Sequence, residues 1–142
     1  MRFLLPVVFL AACGPPPMPV PDAGSNPLFT CDPMATEVTL TGRVQAELFD
    51  RQCRSCHNAS SATNGDYSAA DKTAAAVARP SQFAMTLKPV VPNDLSKSVL
   101  WLKMNQLRGP NGEALGAVMP PGGKLGDASL KLVKDWICTG AK

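Results

Sequence analysis

From Thr41 to Gln52 the apolar residues Val44, Leu48 and Phe49 recur at helical spacing with charges on the other face, which predicts an amphipathic helix running into Cys53. Asn58 to Ala70 are small, polar and turn-forming, so a loop follows. Asp71 to Ala78 is alanine-rich enough for a short helix, and Pro80 stops it. Asn93 or Asp94 is placed to cap a third helix that carries Leu95, Val99, Leu100, Leu102, Met104 and Leu107 and ends at Gly109-Pro110. Asp127 is placed to cap the last, with Leu130, Val133, Trp136 and Ile137 on one face and Gly140 as terminator. Four helical segments, no convincing pair of strands and no internal repeat predict an all-α body.

The N-terminal stretch has another character. Arg2, an apolar run from Phe3 to Leu10, and the small pair Ala11-Ala12 have the form of an export signal. The run is too short to span a bilayer, which takes roughly 20 apolar residues. Leu10-Ala11-Ala12-Cys13 also resembles a bacterial lipobox, in which the Cys thiol is acylated and becomes the first mature residue. Five prolines between Pro15 and Pro21 then favour an extended spacer of about 3 Å per residue. The expected division is a signal peptide over 1–12, a lipid-anchored linker over 13–28 and a folded domain over 29–142. By analogy with lipoprotein sorting, Gly14 in place of Asp directs the expectation to the periplasmic face of a Gram-negative outer membrane.

With 142 residues, 45% hydrophobic and 18% charged, there is room for one modest domain. Five Phe, two Trp and one Tyr are few for filling its core unless something else occupies the middle. The formal charge of +3 includes Arg2, which would leave with the signal. The mature protein is then close to neutral, and nothing argues for a nucleic-acid partner or a polybasic membrane patch.

Cys53-Arg54-Ser55-Cys56-His57 is the most informative segment. In an exported protein the pattern C-x-x-C-H reads as a site of covalent haem attachment, with His57 as proximal iron ligand. Two thiols three residues apart at a helix end can reach the two vinyl groups on one porphyrin edge, and the next residue then offers its imidazole to the iron. Three other readings stand beside it. A thioredoxin-like C-x-x-C is expected within a βαβ pattern, which is absent. A zinc site from Cys31, Cys53, Cys56 and Cys138 would lack the usual second C-x-x-C. A Cys53–Cys56 disulfide leaves the sole histidine unexplained.

RQCRSCHN, VVPNDLSKSVLWLKM and VMPPGGKLGDASLKLVKDWICTGAK together resemble the small bacterial class I c-type cytochromes, in particular mono-haem lipoproteins of the Planctomycete-type branch. The first and third segments are specific and the second is a weaker, branch-level match. The resemblance covers most of the body from about Thr41. It implies a cytochrome c-like helical domain around one haem c, with the first and last helices crossing, a partly exposed haem edge and a Met as distal ligand. The family places that ligand after the third helix and before the last, where Met119 stands in Val118-Met119-Pro120-Pro121. Met104 and Met85 are the alternatives, and helical spacing assigns Met104 to the core. The long polar insertion after His57 and the extra Cys pair depart from simpler members.

With Cys13 assigned to lipid and Cys53 and Cys56 to haem, Cys31 and Cys138 are expected to bridge the ends of the crossing helices. Trp101 and Trp136 read as core residues that could also line the haem pocket, and Tyr67, Arg79 and Lys88 as candidate partners of the propionates. The function expected is electron transfer by a monomeric carrier that exchanges electrons with redox partner proteins and is not itself an enzyme. The alternative is a ligand-binding, sensing or peroxidase-like haem protein with an open distal site. A structural lipoprotein without haem is a third class.

Overall fold

The computed structural model describes residues 26–61, 65–83 and 85–142. The signal, Cys13 and the proline run therefore lie outside the described residues. Within them the elements are helices, and no strand is present among them. A lone backbone bridge pairs Lys88 with Ser98.

Helix α1 spans Leu40–Cys53. Thr39 caps it, its hydroxyl accepting from the Gly42 N–H at 3.1 Å. The coil is wider than an α-helix: the Val44 N–H reaches Thr39 O and the Arg54 N–H reaches Phe49 O, each five residues back. Leu40, Val44, Gln45, Leu48 and Phe49 face inward, a spacing of four to five that suits this wider turn. A 3₁₀ turn at Ala59–Ser61 follows, and then α2 over Ala70–Ala78. Arg79 leaves α2 in extended backbone, the conformation a residue before proline prefers.

The third helix is much shorter than its apolar pattern predicts. Helix α3 covers only Val99–Met104, and all six of its residues are buried. Asn93 lies at φ 61, which no helix accommodates. Asp94 accepts from the Ser96 hydroxyl at 2.7 Å and the Lys97 N–H at 3.1 Å. The buried Ser98 hydroxyl accepts from the Val91 N–H and donates to Asp94 O. These short polar side chains satisfy the backbone of 91–98 as turns, so helix forms only beyond them. At the other end Gln106, at φ 60, closes α3 well before Gly109.

Helix α4 spans Asp127–Cys138. The expected cap is displaced by one residue: Gly126 holds the capping position and makes no side-chain bond, while Asp127 is already helical. Gly140, at φ 98, ends the helix as expected, with the Ala141 N–H donating to Trp136 O.

Helices α1 and α4 pack on each other through Val44, Leu48, Phe49, Val133, Trp136 and Ile137, none of which has measurable exposure. Phe49 meets Trp136 edge-on at 6.0 Å. The ends of the folded body are fastened to this pair. A disulfide joins Cys31 to Cys138 with Cα atoms 5.4 Å apart, and the Leu40 N–H and Trp136 indole both donate to Lys142 O. Residues 26–28, read from sequence as the end of the linker, already belong to this body. Leu28 O accepts from the Trp101 indole at 2.8 Å, and Pro27 O from the Lys134 ammonium at 2.9 Å. Among the described residues no helix is long and apolar enough to cross a membrane.

Candidate functional site

As α1 ends, the backbone enters a tight turn: the Cys56 and His57 N–H groups both donate to Cys53 O, at 3.1 and 2.8 Å. The three chemistry-bearing residues of the C-x-x-C-H segment thereby share one cleft of about 230 Å³. Met119, from the segment between α3 and α4, lines the same cleft. Most of the remaining lining is carbon, supplied by residues such as Ala76, Phe83, Val99, Leu100, Met104 and Leu125. Cys56 and Gln52 stand exposed at its rim, whereas Cys53 and His57 are half-buried.

Tyr67 forms the floor beneath His57. Its ring stacks on the imidazole with centroids 4.9 Å apart and planes 26° apart, and its N–H donates to His57 O at 3.0 Å. Its other neighbour is Phe49, 5.0 Å away, so aromatic packing runs from Trp136 through Phe49 and Tyr67 to His57. Gln45 holds this arrangement from below. Its amide nitrogen donates to Tyr67 O and Asp50, and its oxygen accepts from Thr73 of α2. Sequence reasoning missed Gln45. Its only signal was a polar residue beside Val44 on an otherwise apolar helix face.

The Met119 side is built differently. Met119 is half-buried, and its N–H makes a long bond of 3.4 Å to Lys103 O. The Lys103 ammonium turns inward, donates to Leu115 O at 2.6 Å and sits 4.2 Å over the Phe83 ring. Lys103 was also missed, because a lysine within a helix normally reads as a solvated position. Of the alternatives to Met119, Met104 is buried in α3 and also touches the cleft, while Met85 is exposed and lies away from it. Tyr67 and Arg79 line the cleft; Lys88 lines a separate groove. Trp101 and Trp136 are core residues that do not reach the cleft, which removes the lining role considered for them.

Burial, with Cys56 adding to it, pushes the Cys53 thiol up to about 12. The described residues contain no strand, so the βαβ setting expected of a thioredoxin-like C-x-x-C is not found among them. Burial and the neighbouring Cys53 push the Tyr67 phenol up to about 12 against a smaller opposing effect of Arg79. Burial also draws the Lys103 ammonium below its ordinary value. The four-Cys zinc reading is corrected by the Cys31–Cys138 disulfide, which consumes two of the four ligands. No group of three or more His, Cys, Asp or Glu among the described residues is arranged to hold a metal ion.

Comparison of the sequence and fold with family models, curated proteins and solved structures returns no match.

Proposed function

We propose that the protein is a c-type cytochrome, an electron carrier with one haem c held by Cys53 and Cys56 and ligated by His57 and Met119. One observation carries the reading. Two thiols and the sole imidazole from one five-residue segment, and a thioether distant from them in sequence, line a single carbon-walled cleft. That donor set fits a haem bound through two thioethers, with one nitrogen and one soft sulfur offered to the iron. The bound group would supply a one-electron couple, and the protein supplies everything else. Tyr67 and the turn at Cys53 fix the plane and height of His57. Leu100, Met104 and Leu125 exclude water. Arg79 brings a cation to the rim for a propionate. Met119 raises the potential, since a neutral thioether favours the less charged iron. No substrate site is required by this reading, and redox partner proteins are its natural counterparts.

Export and anchoring through Cys13 belong to the same proposal, and are supported by the lipobox-like segment in the sequence. The deciding experiment is the visible spectrum of the protein made with a competent haem-attachment system, with and without reductant. An intense Soret band that stays with the polypeptide after denaturation is expected; its absence would falsify the reading. Carbon monoxide added to the reduced protein separates carrier from open-site sensor: slow or negligible binding is expected of the carrier.

A further inference from the structure

We propose that Lys103 is a positioning residue for Met119, a two-point clamp that fastens the 115–119 segment to α3. This role rests on the haem reading for its purpose, though not for its geometry. The side chain of Lys103 donates to Leu115 O at 2.6 Å, and its backbone carbonyl accepts from the Met119 N–H at 3.4 Å. The two bonds seize the two ends of the segment that brings the thioether to the cleft. The lysine can do this because it is itself held. It is 9% exposed, within a helix whose every residue is buried. Phe83 lies beneath the ammonium and supplies a cation–π partner in place of water.

Gly116 completes the clamp. It adopts φ 72, and a Cβ built on it would stand 2.6 Å from the Phe83 ring. The segment therefore passes close over the ring at a point where only glycine fits. A buried ammonium held by a backbone carbonyl and a ring is a costly way to fill a core position. An apolar side chain of equal length would pack there as well but could not hold Leu115 O. What the lysine adds is a fixed path for 115–119, and the side chain delivered at the end of that path is Met119.

The test uses the full-length protein and two readouts. Amide hydrogen exchange of 115–119, followed by mass spectrometry, reports the clamp directly. In Lys103→Met, exchange there is expected to quicken roughly tenfold or more, the range that follows from losing a charge-assisted hydrogen bond, while α1 and α4 keep their protection. In the oxidised protein the weak near-infrared absorption of a thioether on haem iron is expected to fade, and the reduced protein to bind carbon monoxide readily, with haem still attached. Phe83→Leu, at a half-exposed position, tests the ring without emptying the core and is expected to give a smaller change of the same kind. Unchanged exchange in 115–119 for Lys103→Met overturns the clamp. Faster exchange with unchanged iron ligation also overturns the positioning role, because the segment would then not govern Met119. A wild-type protein without a Soret band overturns the haem reading instead, and exchange still decides whether the clamp exists.

Discussion

The side of the cleft that carries Cys53, Cys56 and His57 grows out of helix α1 and is backed by Phe49, Tyr67 and Trp136. The side that carries Met119 is a loop fastened to α3 through Lys103. On the first side, position follows from helical periodicity and burial of aromatic rings, so it is shared among many contacts and tolerant of losing any polar one. On the second, position depends on a few hydrogen bonds and a close backbone approach. Under the proposed haem reading, a protein built this way would hold its nitrogen donor firmly and its sulfur donor by local contacts. Substitutions on the first side should therefore register in global stability, and those on the second in ligation.

The largest loss of stability is expected from Trp136→Ala. The ring has no exposure and joins α4 to Phe49, and truncating such an aromatic costs about 3–5 kcal/mol. Urea unfolding would read it. A loss under about 1 kcal/mol would mean that the α1–α4 contact is not what supports the His57 side.

Removing the bridge comes next. Cys31→Ala with Cys138→Ala frees a loop closed over 107 residues, and the chain-entropy model assigns up to about 5 kcal/mol to such a closure. Because the bridge fastens ends that Lys142 O and Leu28 O also fasten, a loss of about 2–4 kcal/mol is the expectation. Ligation at the cleft should not change. Two titratable thiols beyond Cys53 and Cys56 in the unfolded, unreduced wild type would show that the bridge does not form in the cell.

Met119→Ala reverses the pattern. The residue is half-buried in a loop, so a stability cost of no more than about 1 kcal/mol is expected. The potential should fall, the near-infrared band should vanish, and carbon monoxide should bind the reduced protein. Met104→Leu is the control, since it nearly conserves volume in α3 and should cost below about 1.5 kcal/mol without touching the iron spectrum. If Met104→Leu removes the band and Met119→Ala keeps it, the sulfur ligand is Met104.

The same contrast explains what the amino-acid order made legible. Val44, Leu48 and Phe49, and Leu130, Val133, Trp136 and Ile137, announced α1 and α4 because period and burial coincide there. C-x-x-C-H marked one side of the cleft outright. The third helix was overread because apolar spacing was counted from Leu95, while Asn93, Asp94 and Ser98 had committed the backbone to turns. Gln45, Lys103 and the place of Tyr67 beneath His57 were hidden for a different reason. Each is defined by a partner distant in sequence: Thr73 for Gln45, His57 for Tyr67, and Leu115 for Lys103. Local pattern holds no record of such pairs.

The smallest effect is expected at Asp94, in the turns that lead into α3 and so toward Lys103. Burial favours the neutral acid, but bonds from the Ser96 hydroxyl and the Lys97 N–H, with the Lys97 ammonium 3.1 Å away, outweigh it and hold the carboxyl below its ordinary value. A lowered carboxyl stabilises the fold above its unfolded value of about 3.9, and that contribution is lost as pH falls through the lower folded value. Asp94→Asn keeps an oxygen for Ser96 and the Lys97 N–H but gives up the charge. It should therefore cost a few tenths to about 1 kcal/mol at pH 7, the range of a partly exposed ion pair. Wild type and variant should converge in stability as the pH falls from about 3.9, where the unfolded carboxyl is neutralised, through the lower folded value, where the native carboxyl is neutralised as well. A constant gap between them from pH 7 down into that acid range would assign the contribution to hydrogen-bond geometry and not to charge. Turns ahead of α3 fixed by geometry alone would leave the Met119 side insensitive to acid, and the ligation spectrum recorded across the same titration would show it.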